Sequence, residues 1–158
     1  MTDSIQVVSF KLGSEEYGVD IGQVQEINRM VAVTHVPRAP QFMEGVINLR
    51  GQLIPIIDLR TRFGMERAEH SKNTRIVVTE IGTKRIGMVV DSVSEVLRLP
   101  LEQIEEAPDM ISGVDTEYIR GVGKLDERLI ILLDLGKIVT GAEKRDLDVI
   151  DLEHAAVA

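Results

Sequence analysis

The segment FKLGSEEYGVDIGQVQEINRM (residues 10–30) lies over TEIGTKRIGMVVDSVSEVLRL (residues 79–99) at a constant offset of 69 residues, and this internal repeat decides the architecture. Glycine falls on glycine at Gly13 and Gly82 and again at Gly18 and Gly87; Val24, Glu26 and Arg29 fall on Val93, Glu95 and Arg98. Apolar residues cover apolar residues between them: Leu12 over Ile81, Val19 over Met88, Ile21 over Val90, Ile27 over Val96. A second match sets LIPIIDL (residues 53–59) over LIILLDL (residues 129–135) at an offset of 76. Each half of the chain therefore carries a hairpin block followed by a block ending in Asp-Leu. Chance matching of short apolar strands would align hydrophobes without aligning glycines and charges as well.

Working outward, strand signals dominate. Residues 7–12, 53–59, 75–81, 86–90 and 129–133 are short, β-branched and apolar. Between them lie turns such as Gly13-Ser14-Glu15-Glu16, Arg50-Gly51-Gln52, Ile81-Gly82-Thr83-Lys84 and Lys124-Leu125-Asp126-Glu127. Helical candidates are few and short: 59–63, 100–104, 135–139 and a C-terminal stretch at 146–155. The class is all-β with short connecting helices. Each repeat has about five strands, too few for a sandwich, and closing into a small barrel removes free strand edges. The expectation is two pseudo-repeated five-stranded barrels packed together: one over 5–70, one over 74–141, with strands free to exchange between them, and a C-terminal helix or tail over 142–158.

Composition narrows the function. In 158 residues, 18 Lys and Arg face 26 Asp and Glu, for a formal net charge of −8. The bases are scattered singly or in pairs, so no basic stripe exists to hold a nucleic acid backbone. The hydrophobic fraction of 44% supports a real core, since a chain of this length buries roughly 70% of its unfolded surface. Cysteine is absent, which removes disulfides, thiol nucleophiles and Cys-ligated metals. No window reaches the apolar length of a membrane span or a signal peptide, so a cytoplasmic protein without direct membrane insertion is expected.

Chemistry-bearing constellations are missing from the sequence. His35, His70 and His154 have no metal-ligand spacing, and no base stands beside a nucleophile. Gly121-Val122-Gly123-Lys124 departs from a phosphate loop, with Tyr118 where its first glycine belongs and Leu125 where its Ser or Thr belongs. Paired acids such as Glu15-Glu16 read as solvated turn residues. Neither catalysis, a cofactor nor a metal is expected.

One stretch is odd on physical grounds. In GVINLRGQLIPIIDLR (residues 45–60), Arg50 sits between two apolar strands, and Pro55 within an apolar run demotes its strand to an edge or a bulge. Together with GSEEYGVDI and VQEI (residues 13–27), RIGMVVDSVSEVL (85–97) and TEYIRGVG (116–123), it makes four blocks in one order, and through them nearly the whole chain resembles the CheW family of chemotaxis coupling proteins. The related regulatory domain of the kinase CheA shares some of these blocks, but 158 residues leave no room for that kinase's other domains, so the stand-alone coupler is expected.

The resemblance implies two SH3-like barrels and a non-enzymatic adaptor that couples the cytoplasmic tip of a chemoreceptor helical bundle to the CheA regulatory domain in membrane-associated arrays. By the same resemblance, the receptor groove uses Ile21, Val24, Glu26, Arg50, Gly87, Val93 and Val96, and Met110 and Ile111 contact the kinase. Simpler roles stay open. Ile21, Val24, Val93 and Val96 could be core; Glu26 and Arg50 could pair with each other; Gly87 could serve close strand packing; Met110 and Ile111 could tuck under a barrel. Glu44 and Glu105-Glu106 stand where relatives can carry bases, which puts individual ion pairs of the family in doubt. The competing function is a small-molecule-binding regulatory domain using the cleft between barrels, which the 3% aromatic content disfavours.

Overall fold

A computed structural model of the chain describes residues 3–37, 43–66, 68–106, 110–111, 114–115 and 118–138, the last helix ending at Ile138. The tail assigned to 142–158 lies outside the described residues. The two halves of the 69-residue repeat begin with tight hairpins: β1 (Ser4–Leu12) with β2 (Glu15–Asp20), and β6 (Arg75–Ile81) with β7 (Lys84–Val90). Leu12 faces Glu15 and Ile81 faces Lys84, leaving two residues in each turn. Gly13 (φ 62°) and Gly82 (φ 63°) take the left-handed position that such a turn needs.

The remaining strands are β3 (Val24–Arg29), β4 (Met43–Leu49), β5 (Gln52–Asp58), β8 (Ser92–Pro100), β9 (Ile104–Glu105), β10 (Met110–Ile111), β11 (Val114–Asp115), β12 (Ile119–Leu125) and β13 (Arg128–Leu133). One sheet runs β8-β1-β2-β13-β12-β9 and the other β3-β6-β7-β5-β4. Each closes on itself. In the first, β8 leads through a single turn, Leu101–Gln103, into β9 at the opposite edge; in the second, the chain after β3 bridges back from Thr34 to Val46 of β4. The sheets do not divide the chain between 70 and 74. Hairpin β1–β2 pairs with strands of the C-terminal half, and hairpin β6–β7 with strands of the N-terminal half.

The repeat is visible residue by residue in the ladders. Gly18 lies beside Leu132 in the parallel pair β2–β13, and Gly87 beside Ile56 in the parallel pair β7–β5, the two offsets of 69 and 76 applied together. Val24 faces Thr79 as Val93 faces Phe10. The short helices α1 (Leu59–Arg62) and α2 (Leu135–Ile138) follow Asp58 and Asp134, whose carboxylates accept from the N–H groups of Arg60 and Gly136 as N-caps do.

Pro55 meets one of its two expectations, since the β4–β5 ladder shifts register beside it, opposite Ile56 and Ile57, and departs from the other. β5 is an interior strand, flanked by β4 and β7, rather than an edge. The proline is tolerated because pairing with β7 begins only at Ile56, so its missing N–H removes no bond on that side.

Three apolar clusters explain the near-continuous apolar strands. Ile47, Ile54, Ile56, Ile76 and Val78 fill one barrel, and Val7, Leu97, Leu99, Ile130 and Leu132 fill the other. The largest cluster lies between the barrels and draws on both, with Val8, Phe10, Leu12 and Tyr17 from one sheet against Ile57, Val77, Ile86 and Met88 from the other. A strand buried on both faces cannot alternate polar with apolar. Each fully buried side chain of this size contributes about 1.5–3 kcal/mol, so the seam between barrels is a major part of the fold's stability. Among the described residues no helix is long and apolar enough to cross a membrane.

Candidate partner-binding seam

Val24, the first residue of β3, and Val93, the second of β8, stand at the start of equivalent edge strands, and both pack half-buried against the central cluster. Immediately after each, the ladder shifts register, with Gln25 and Ser94 as the extra residues. Such bulges twist a strand and re-aim its side chains. Beyond them Val96 faces Val8 and Ile27 faces Val77, both partners belonging to the central cluster. Directly opposed residues of an antiparallel pair project to one side of the sheet. Val96 and Ile27 thus continue the seam's apolar face outward, where they are 53% and 41% exposed. Ile21, in the single turn Ile21–Gln23 between β2 and β3, is exposed as well. Val24 and Val93 are thus at the margin of the core and Ile21 and Val96 outside it.

Glu26 and Arg50 meet each other. Arg50 Nη2 donates to Glu26 Oε1 at 2.7 Å and Oε2 at 2.8 Å. The hydrogen bond from Arg50 holds the Glu26 carboxyl below the usual carboxylate range. Arg50 reaches it from the two-residue turn between β4 and β5, where it and Gly51 both take positive φ (52° and 85°). Asn48 Oδ1 accepts from Gly51 N–H at 2.8 Å and steadies that turn. A charge in this apolar stretch costs little because the turn puts it in solvent.

The repeat partner of Glu26, Glu95, is also held by an arginine, though from a different place. Arg128, at the start of β13, donates from Nη1 to Glu95 at 2.8 Å and from Nε and Nη2 to the two oxygens of Glu16 at 3.1 and 2.5 Å. Burial pushes the Glu16 carboxyl up, and the bonds and charge of Arg128 more than reverse it. Each exposed apolar edge residue is thus preceded along its strand by a carboxylate that an arginine holds in position, projecting to the other face of the sheet.

Gly87 is buried. A Cβ there would come within 2.5 Å of Ile56 Cδ1 and 2.9 Å of Ile76 Cγ2, so its missing side chain serves packing inside the barrel. The backbone of Met110 and Ile111 forms a short hairpin with β11, Ile111 facing Val114; their side chains are outside the described residues. Ile27 and Glu95 were not singled out from sequence, although the repeat aligns them with Val96 and Glu26.

A third arginine joins the barrels beside the seam. Arg60 of α1 grips Asp91 with Nε at 2.8 Å and Nη2 at 2.5 Å, and Asp91 also accepts from Gly13 N–H at 2.7 Å. Asp91 links β7 of one barrel to β8 of the other, so the fork ties α1, the interbarrel link and the first hairpin. The Arg60 bond foremost, and the Gly13 bond, hold the Asp91 carboxyl below its ordinary value despite burial. A depressed carboxylate stabilises the fold above its unfolded pKa of about 3.9, and that contribution disappears as pH falls through the lower folded value. Asp91→Asn is therefore expected to cost about 1–3 kcal/mol at pH 7. Its deficit should shrink in acid titrations followed by circular dichroism; a deficit constant from pH 7 to pH 2 would refute the ionic origin.

The comparisons with known proteins agree with this construction. The family model for the CheW-like domain matches residues 6–143. The chain is 43% identical over 145 residues to the chemotaxis protein CheW of Klebsiella aerogenes, covering 92% of this chain and 87% of that one. It is 36% identical to the probable chemotaxis protein CheW of Rhizobium etli, covering 87% and 89%. Its fold matches the crystal structure of the scaffolding protein TtCheW from Thermoanaerobacter tengcongensis with a TM-score of 0.80 and 38% identity, over 89% of this chain and 90% of that one. Because these matches run through both barrels and the seam between them, the chain belongs to the CheW family of chemotaxis scaffold proteins.

Proposed function

We propose that this protein is the adaptor that couples chemoreceptor cytoplasmic tips to the histidine kinase CheA, recruited from the cytoplasm to membrane-associated receptor arrays. The observation that carries the reading is the duplicated apolar edge, Val24 with Ile27 and Val93 with Val96, bordering one seam and flanked by arginine-held Glu26 and Glu95. A helix laid along such a strip is held by apolar contacts at its centre, and fixed charges at the margin set register. The space between the barrels is filled by the buried central cluster, which favours a partner docking on the seam's outer rim over a small molecule entering it. The regulatory domain of CheA would be met elsewhere, with the β10–β11 hairpin carrying Met110 and Ile111 as one contact.

The test is a titration of the full chain against a receptor cytoplasmic fragment and, separately, the CheA regulatory domain, followed by kinase activity in reconstituted arrays. Binding to both and a rise in kinase activity are expected; failure to bind either partner overturns the coupling. Arg50→Glu should weaken receptor binding at least tenfold, because it reverses a charge at the margin and sets it against Glu26. Arg50 is exposed, so cooperative melting should survive. A variant that loses its cooperative melt would give Arg50 a structural role instead.

A further inference from the structure

At the end of β3 away from Val24, Arg29 stands directly opposite Arg75 of β6. With Met30, Ser71, Lys72, Asn73 and Thr74 they line a cleft of about 520 Å³. Three cationic residues line it in a chain whose net charge is −8, and no carboxylate is among the lining residues. Like charges directly opposed across a ladder repel. Among the described residues no ion pair relieves Arg29, Lys72 or Arg75.

The cleft wall is braced before any ligand arrives. Ser71 N–H donates to Thr74 Oγ1 at 2.9 Å, Asn73 N–H to Ser71 Oγ at 3.0 Å and Thr74 N–H to Ser71 O at 3.2 Å, closing the turn on itself. Arg75 Nη1 donates to Lys72 O at 2.8 Å and to Thr74 O at 2.9 Å. The guanidinium is thus anchored through one nitrogen, and its Nε and Nη2 are not used by those bonds. A planar fork fixed in this way loses little side-chain entropy on meeting an oxyanion, and a neighbouring lysine adds a mobile point charge.

We propose that this cleft is an anion site for a phosphate-bearing group, held by Arg29, Lys72 and Arg75. A single carboxylate would leave most of the positive charge uncompensated, whereas a multiply charged phosphate group matches three cations. The volume falls in the range of about 300–1,000 Å³ usual for small-ligand clefts. The group could belong to a soluble phosphorylated molecule or to an anionic lipid headgroup, and the two share this chemistry. Arg29 lies five residues along β3 from Val24, on the order of 17 Å, so the site would act apart from the receptor-binding rim.

The probes are pyrophosphate and vesicles of phosphatidylglycerol or of phosphatidylcholine alone, applied to the full chain and to an Arg29→Gln/Lys72→Gln double variant, both residues being exposed. Pyrophosphate should bind with a salt-sensitive, sub-millimolar affinity by calorimetry, shift the amide resonances of residues 71–75 and raise the melting temperature. The double variant should bind at least tenfold more weakly while melting and binding the receptor fragment as the parent does. Selective binding to phosphatidylglycerol vesicles, competed by pyrophosphate, identifies a headgroup as the source; pyrophosphate binding without vesicle binding identifies a soluble ligand. Absence of saturation with either probe at millimolar concentration, or equal affinity in the double variant, overturns the site.

Discussion

Gly45→Ala is expected to lower stability by about 3–5 kcal/mol, the sum of strain and broken closure hydrogen bonds. Gly45 sits at φ 154°, outside the range comfortable for an L side chain, at the register shift between Met43 and Gly45. A Cβ there would lie 2.3 Å from Thr34 O and 2.8 Å from Val33 Cγ1. Thr34 O is not free to retreat, since Thr34 and Val46 exchange two 2.8 Å backbone hydrogen bonds that close the second barrel. Relief of the clash therefore opens the barrel. The repeat supplies an internal control in Gly121, which occupies the same place in the first barrel without the positive φ and has its nearest contact, Glu105 O, at 3.0 Å. Gly121→Ala should cost only about 1–2 kcal/mol. Urea denaturation of the two variants checks this; equal losses would show that closure at Thr34 contributes nothing special.

The contrast between these glycines also marks what the sequence can and cannot disclose. The offsets of 69 and 76 were legible because glycines and charges recur with the hydrophobes, and those offsets reappear as ladder partners such as Val24–Thr79 and Val93–Phe10. Which hairpin joins which sheet is not legible in the sequence, because pairing across such distances is decided by the whole core rather than by local pattern. The arginine partners were illegible for a related reason. Glu26 and Glu95 are repeat equivalents, but Arg50 corresponds to Asp126 and Arg128 to Gln52, so each half holds its glutamate with an arginine from a different place. Arg60 and Asp91 are 31 residues apart and belong to no repeated pair. Ile27 was within reach, since its match to Val96 is in the alignment, but hydrophobicity alone does not separate an exposed edge from a core position.

Val24→Glu and Val93→Glu are expected to weaken binding of the receptor fragment about a hundredfold or more, the consequence of setting a carboxylate against an apolar helix at a cost of a few kcal/mol. Both valines are half-buried at the margin of the central cluster, so an introduced carboxylate can turn toward solvent and the fold should persist with a modest loss of stability. The same escape is closed when a helix covers the strip. Ile27→Glu makes the argument sharper. Ile27 is 41% exposed and faces the cluster residue Val77, so its replacement should leave stability nearly unchanged and still reduce receptor affinity if the strip is one continuous surface. Titration of the three folded variants against receptor fragment and CheA regulatory domain separates the possibilities. Receptor binding should fall and kinase binding should hold, because the proposed kinase contact lies on the β10–β11 hairpin rather than on β3 or β8. Equal loss for both partners would assign the effect to folding or to a shared surface, and unchanged receptor affinity would remove these residues from the docking strip.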